Sequence, residues 1–268
     1  MSCVGWYGRS DCDPGGFEMT EQMLSVPTPD GDMGAYVRRP DGDGPFPVIV
    51  YFHHGPGLDE GSKQSMQLLA DAGYYVVSPD RYHREGSWLT FDPRQMRAGT
   101  PEADALRQKM MGILMGTTDD MVESDLKALL SALGKESAAR KAPMGVIGFC
   151  IGARSVLRTI GNHPDVFTAG VALHPSFCVT DDADSPHLVV DGFEGMLYVG
   201  YGSEDQMQPA TQGKPLIDAT NGLSGGRGLA EVHDGADHGF AVPGGSYHDA
   251  AADRSYEKAL EFFGKVVA

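Results

Sequence analysis

The segment VIGFCIGARS, residues 146–155, places a cysteine between two glycines where an apolar run meets a helical pattern. The apolar residues before Cys150 predict a buried strand, and the residues from Ile151 onward predict a helix. Gly148 and Gly152 leave room for a sharp turn that packs this helix closely against the strand. The spacing predicts a nucleophile elbow, and the alternative is a small buried thiol in a tight turn.

Strand and helix patterns alternate on both sides of this turn. Apolar runs predict strands at 48–52, 74–80, 144–149, 168–174, 195–202 and 229–233. Periodic apolar positions predict helices at 65–73, at 118–133, from 151 onward, at 209–220 and at 249–267. A hairpin is predicted at 22–40, where two extended runs flank a Pro-Asp-Gly turn. The alternation predicts a doubly wound α/β domain, in which a mostly parallel sheet carries helices on both faces.

One long segment breaks this regularity. Residues 81–118 are rich in Met, Arg and Pro, and we expect them to form a long excursion over one face of the sheet. Such excursions in compact domains often border functional sites. Whether the Met-rich part at 96–121 closes over a site as a lid is left open by the sequence alone.

Length and charge limit the class of protein. The 268 residues predict one domain at 19–268, preceded by a flexible Gly-rich stretch at 1–18. With 37 acidic and 21 basic residues the formal net charge is −16, which disfavours binding to nucleic acid or to an anionic membrane. Neither an apolar run of about 18 residues nor a signal-peptide pattern is present. We therefore expect a cytoplasmic monomer or small homo-oligomer whose partner is a small molecule.

The four cysteines do not form a recognisable scaffold. Cys3, Cys12, Cys150 and Cys178 are irregularly spaced and include no CxxC pair, which disfavours a disulfide framework or a redox motif. We interpret Cys3 and Cys12 as incidental thiols. Cys150 is therefore the cysteine whose surroundings decide the function.

A metal site is one interpretation of the adjacent histidines His53 and His54, with Asp59 or His83 as a third ligand. Adjacent side chains in an extended segment point to opposite faces, so two such histidines seldom bind one ion. We predict neither a metal nor another cofactor.

An acid and a base follow the elbow in the order that this motif requires. Asp205 comes directly after the predicted strand 195–202, and His238 lies in a Gly-flanked loop before the last helix. Glu204 is a minor rival for the acid. Asp237 is disfavoured because neighbouring side chains in a loop rarely face each other. The three residues Cys150, Asp205 and His238 are our candidate triad.

Three of these stretches, taken together, resemble the dienelactone hydrolase family of α/β-hydrolases. They are VIGFCIGAR at 146–154, YGSEDQMQP at 201–209 and GADHGF at 235–240, and YVVSPDRYHR at 75–84 resembles the family's segment after its second core strand. The resemblance runs from about residue 20 to the C-terminus. It implies an α/β-hydrolase fold and a hydrolase of a small lactone or ester.

Residue by residue, the resemblance implies Cys150 as the nucleophile, His238 as the base and Asp205 as the acid that orients it. The N–H of Ile151, at the start of a helix, is expected to face a developing oxyanion, and Gly55 offers the second N–H. His54 stands where family members often carry a glutamate that holds the thiol before substrate arrives. A neutral imidazole there could accept the thiol proton, and a charged one could stabilise a thiolate.

Further residues are candidates for the substrate cleft. His174, in LHPSF after a strand end, is predicted to line it, either in contact with substrate or as a wall residue without a chemical role. Arg84 matches one of the family's carboxylate-binding positions. The second expected arginine is missing, because Val242 stands in its region, and Arg81 is interpreted as a surface residue. The sequence thus supports one of the two arginine contacts expected for a substrate carboxylate.

These observations together predict a cysteine hydrolase that forms an acyl-thiol intermediate on a small lactone or ester. Two alternatives stay open. One is a related hydrolase of the same fold that acts on an unrelated ester or thioester. The other is a non-catalytic protein in which Cys150 is oxidised as a redox sensor.

Overall fold

A sheet of eight strands forms the centre of the computed structural model, which describes residues 19–96 and 98–267. The strands are β1 (Met19–Thr28), β2 (Gly31–Pro40), β3 (Val48–Phe52), β4 (Tyr75–Pro79), β5 (Met144–Phe149), β6 (Phe167–Leu173), β7 (Met196–Gly202) and β8 (Gly228–His233). Their order is β1-β2-β4-β3-β5-β6-β7-β8. The pairs from β4 to β8 are parallel, whereas β1 and β2 form an antiparallel hairpin on the β4 edge. The predicted mostly parallel sheet is confirmed, and the stretch 1–18 lies outside the described residues.

Helices cover both faces of this sheet. They are α1 (Glu60–Asp71), α2 (Pro93–Met96), α3 (Pro101–Gly116), α4 (Asp119–Leu133), α5 (Ile151–Asn162), α6 (Lys214–Gly222) and α7 (Asp249–Val266), with short 3₁₀ turns at Pro186–Gly192 and Ser224–Gly226. Buried residues of α4, α5 and α6 share one apolar cluster, and those of α1 and α7 share the other. The doubly wound arrangement is therefore confirmed. None of the helices in the described ranges combines the length and apolarity needed to cross a membrane.

The central strands lie where their composition predicts them. Every residue of β3 and of β5 is buried, as expected for parallel strands covered on both faces. α1 begins five residues earlier than the predicted 65, because Asp59 caps it and accepts a hydrogen bond from the N–H of Ser62 at 2.8 Å. α6 begins at Lys214 rather than at 209, with Gly213 as its N-cap.

The helix α3 is the element that sequence periodicity missed. Thr100 caps it and Pro101 opens it, so its start signals are regular. Leu106, Met110 and Ile113 recur at helical spacing, but Met111 and Met115 are exposed apolar residues outside this stripe, so the contrast between the faces of the helix is weak. The helix packs on a small cluster around Tyr82 and beside Gly55, just past the end of β3, instead of lying on a face of the sheet.

Candidate active site

The turn between β5 and α5 holds Cys150 in a strained backbone conformation. Its φ is 55° and its ψ is −118°, a region of backbone conformation that residues other than glycine rarely adopt. A Cβ on Gly148 would lie 2.2 Å from the carbonyl oxygen of Gly152, and a Cβ on Gly152 would lie 2.2 Å from that of Phe52. These contacts give the physical reason for both glycines, and the geometry is that of the predicted elbow.

The structure brings the predicted acid and base together. Asp205 is buried, and its Oδ2 lies 2.7 Å from Nδ1 of His238. Its Oδ1 accepts backbone N–H groups of Met207 and Gln208 at 2.9 and 2.8 Å, which holds the carboxylate in place. Asp237 instead accepts from the backbone N–H of His238, so its side chain turns away from the ring.

Cys150 and His238 form an electrostatically coupled pair. Burial by itself would raise the pKa of the Cys150 thiol, but the charge of His238 and the hydroxyl of Ser176 lower it to about 6. Burial opposes charge on His238 as well, yet the thiolate and Asp205 raise its pKa to about 10. Nε2 of His238 is buried and makes no hydrogen bond of regular geometry within the described residues. Both shifts favour a thiolate beside an imidazolium.

Ser176 is a site residue that the sequence did not single out. Its Oγ lies 3.3 Å from Sγ of Cys150, and its backbone N–H donates to the carbonyl oxygen of Cys150 at 3.1 Å. It follows β6 in the stretch that contains His174, and β6 is the parallel neighbour of β5. The signal in the sequence that could have identified Ser176 is its place just after the end of a strand next to β5.

His174 is buried against the base. Its ring centroid lies 5.0 Å from that of His238 in an edge-to-face contact. Both ring nitrogens are buried without a hydrogen-bond partner within the described residues, and burial holds the pKa well below the ordinary value. A neutral imidazole with an unused N–H therefore lines the cavity beside Cys150.

His54 also lines this cavity, and it is paired with a carboxylate. Its Nε2 lies 3.1 Å from Oδ2 of Asp59, the residue that caps α1. His53 points elsewhere, since its Nδ1 contacts the carbonyl oxygen of His54 and burial lowers its pKa to about 4. His83 pairs with Asp125. Within the described ranges, no cluster of three or more His, Cys, Asp or Glu side chains is placed to hold a metal.

The two residues predicted to hold an oxyanion are Ile151, directly after Cys150, and Gly55, in the cavity wall. Ile151 is the first residue of α5, and the first N–H groups of a helix have no partner within it. Gly55 lines the cavity, and its carbonyl oxygen accepts a hydrogen bond from the hydroxyl of Tyr82 at 2.7 Å. A Cβ on Gly55 would lie 3.2 Å from Leu114 of α3, so the residue is closely covered.

The structure places Arg84 away from this cavity. Its guanidinium bonds Asp125 through two nitrogens at 2.7 and 2.8 Å and also bonds Asp30 at 2.8 Å. The prediction that Arg84 binds a substrate carboxylate is therefore not supported, because its donors are directed to other carboxylates. Arg81 is buried rather than at the surface, and its guanidinium donates to Ser155 and to the carbonyl oxygen of Thr117.

A cavity of about 450 Å³ opens above the sulfur. Its wall contains Cys150, His238, His174, His54 and Gly55, together with side chains of α3. The volume falls in the range of small-molecule sites. A cysteine on a strained turn at the carboxyl end of a parallel strand, with an acid-paired histidine in the same cavity, is the arrangement typical of α/β-hydrolases.

Comparison with known proteins places the chain within this class. A sequence model of the dienelactone hydrolase family matches residues 33–267, and the chain belongs to that family. A protein of Escherichia coli strain K12, provisionally named a carboxymethylenebutenolidase, is 27% identical over 248 residues, which are 90% of this chain and 85% of that protein. The carboxymethylenebutenolidase of Pseudomonas putida is 26% identical over 251 residues, which are 91% and 96% of the two chains.

Solved structures show the same fold. A Klebsiella pneumoniae protein, provisionally described as a dienelactone hydrolase, superposes with a TM-score of 0.74 at 23% identity, covering 92% of this chain and 99% of that one. A dienelactone hydrolase-like promiscuous phosphotriesterase from metagenomic libraries superposes with a TM-score of 0.70 at 19% identity, covering 93% and 99%. At these identities the likeness concerns the fold alone.

Proposed function

We propose that this protein hydrolyses small carboxylic esters or lactones through an acyl-thiol intermediate on Cys150. The observation that supports it best is the pair of Asp205 and His238, joined at 2.7 Å, beside a thiol whose pKa is lowered to about 6. A thiolate is the reactive form of cysteine, and a helix N-terminus further favours it. A reducing compartment such as the cytoplasm keeps this sulfur available for attack.

In the acylation step the thiolate of Cys150 attacks the carbonyl carbon, and the carbonyl oxygen takes up the electron pair. The N–H groups of Ile151 and Gly55 stabilise that oxyanion. The tetrahedral centre then collapses, the bond from carbon to the alkoxy oxygen breaks, and the imidazolium of His238 gives its proton to the leaving oxygen. A lactone leaves its hydroxyl attached to the acyl group, whereas an ester releases a free alcohol.

Hydrolysis of the thioester uses the same histidine as a base. Acylation removes the thiolate charge, which is one cause of the raised pKa of His238, so the neutral imidazole becomes able to accept a proton. It takes that proton from a water molecule, whose oxygen attacks the thioester carbonyl. The carbon–sulfur bond breaks, the acid is released, and the thiolate returns. Asp205 holds the ring through Nδ1 so that Nε2 faces the reaction.

The experiment is hydrolysis of p-nitrophenyl acetate and of a panel of lactones by the parent and by Cys150→Ala. We expect the variant to lose at least a thousandfold in kcat/KM, because attack by the thiolate is the step that it removes. The free energy of unfolding should stay close to that of the parent. Activity of the variant within about tenfold of the parent, about 1.4 kcal/mol of barrier, would contradict the proposal.

A covalent intermediate separates this function from redox sensing by Cys150. His238→Gln should accumulate the acyl-thiol form, because the proton acceptor for water is missing, and intact mass spectrometry detects the added acyl mass. A thiol alkylator should abolish ester turnover in proportion to the labelled Cys150. Turnover that persists after complete alkylation would exclude the thiol mechanism.

A further inference from the structure

The cavity above Cys150 is unusually apolar for a site that would recognise an anion. Its wall includes Val242, three prolines and six larger apolar side chains, which are Met96, Met110, Met111, Leu114, Phe177 and Met207. Met111 and Met207 are 39% and 67% exposed, so the apolar surface continues to the rim. Methionine side chains are flexible and adapt to differently shaped apolar ligands.

The guanidinium groups near the cavity are already bound to other groups. Arg84 is held by Asp125 and Asp30, and it does not line the cavity. Among the described lining residues Arg107 is the single guanidinium, and it bonds the side chain of Asp104 and the carbonyl oxygen of Met96. To bind Arg107, a substrate carboxylate would have to replace Asp104 in this exposed ion pair.

A negative charge also faces the cavity. Asp59 lines it, and although burial opposes ionisation, the hydrogen bond and charge of His54 and the N–H of Ser62 lower the pKa of Asp59 to about 2. Val242, which is buried, occupies the region where a second arginine was expected. The formal net charge of −16 repels anions over longer distances.

We propose that the site selects neutral esters and lactones with an apolar acyl part and discriminates against substrates that carry a carboxylate. This substrate class rests on the hydrolase function proposed above. It reverses the expectation from sequence, in which Arg84 supplies one contact to a carboxylate. The acyl part lies along the wall of α3, where the methionines accommodate chains of different length.

The test compares two esters that differ mainly in charge. The kcat/KM of the parent for p-nitrophenyl pentanoate should exceed that for mono-p-nitrophenyl glutarate by about a hundredfold, since the carboxylate loses water without a free partner. From p-nitrophenyl acetate to the hexanoate, kcat/KM should rise by up to about fourfold per methylene. Equal or better hydrolysis of the glutarate, or no rise with chain length, would overturn the proposal.

Two variants on the same helix give a matched comparison. Met111→Arg places a cation on the cavity wall and should raise the glutarate-to-pentanoate ratio at least tenfold. Met115→Arg adds the same charge at a position that is 61% exposed and outside the cavity wall, and it should leave the ratio unchanged. An equal ratio change in both variants would mean that overall charge, and not the cavity, sets the preference, and would overturn the proposal.

The substrate class and the hydrolase function fail in different ways. If the parent hydrolyses no ester, or if its turnover survives Cys150→Ala, the proposed function itself is wrong. If turnover depends on Cys150 but the glutarate ester is preferred, the function stands and the substrate class is wrong.

Discussion

Oγ of Ser176 lies 3.3 Å from Sγ of Cys150, and the backbone N–H of the same serine donates to the carbonyl oxygen of that cysteine. The two residues come from the ends of adjacent parallel strands, and the contact between them fixes the sulfur at the elbow. A serine hydroxyl thus lies against the sulfur, while His54 lines the same cavity. We therefore expect Ser176 to act as a positioning residue for this sulfur.

Ser176→Ala should raise the pKa of the Cys150 thiol. The hydroxyl donates to the thiolate, and loss of one hydrogen bond to a charged group moves the midpoint of alkylation against pH upward by about one pH unit. The measurement is the rate of iodoacetamide labelling between pH 4 and pH 10. Ser224→Ala, at an exposed 3₁₀ turn, is the control and should follow the parent curve. A Ser176→Ala curve that overlies that of the parent would remove the serine from this role.

The parent enzyme should show a thiolate at unusually low pH. The pKa of Cys150 is lowered to about 6, so labelling should fall as pH drops through 6, where the thiolate becomes protonated. His238→Gln removes the cation while burial remains, and its midpoint should lie above about 8. Ester hydrolysis by this variant should drop at least about a hundredfold. A midpoint that stays near 6 in His238→Gln would contradict the ion pair.

His54→Gln should have a smaller effect on the same curve. The charge of His54 contributes to the lowered pKa of Cys150, but Asp59 lies 3.1 Å from the imidazole and offsets part of that charge. We expect an upward shift of about half a pH unit. Superimposable curves for parent and variant would show that His54 has not taken over the task of the family's glutamate.

Gly148→Ala should destabilise the fold. Its Cβ would lie 2.2 Å from the carbonyl oxygen of Gly152, and relief of that overlap requires helix α5 to move off the strand. We expect a loss of about 3 kcal/mol in the free energy of unfolding, measured with urea. Gly264→Ala is the matched control, because no atom lies within 4 Å of a Cβ there and alanine favours the helix α7 by about 0.5 kcal/mol. Equal stability of the two variants would contradict the close approach at the elbow.

Arg84→Gln should affect stability rather than substrate choice. Asp125 is 4% exposed and would lose its two-point partner, at a cost of about 3 kcal/mol. Arg254→Gln, which breaks an ion pair with the more exposed Glu231, should cost less than about 1 kcal/mol. Below the melting temperature the ratio of neutral to charged ester hydrolysis should be the same in Arg84→Gln and in the parent. A selective loss on the charged ester would restore Arg84 as its receptor.

Much of the fold could be predicted because its determinants are local. The apolar runs at 48–52 and 144–149 coincide with β3 and β5, since strands that are covered on both faces need apolar residues throughout. The helix α3 was missed for the converse reason. It packs beside the site instead of on the sheet, and because Met111 and Met115 are exposed apolar residues, its sequence shows only a weak contrast between apolar and polar faces.

The sequence by itself determined the elbow and the choice of triad candidates. Backbone overlap at Gly148 and Gly152 leaves a narrow choice of residues around Cys150, and the acid and base follow strand ends in a set order. Tertiary structure alone decided the partners of Arg84, Ser176 and His54. Arg84 meets Asp125 across 41 positions, and a pairing of this kind depends on how separate elements pack. No pattern in either segment specifies that Arg84 and Asp125 come together. The sequence around Arg84 therefore matched the family's motif, although its guanidinium is directed to Asp125 and not to the cavity.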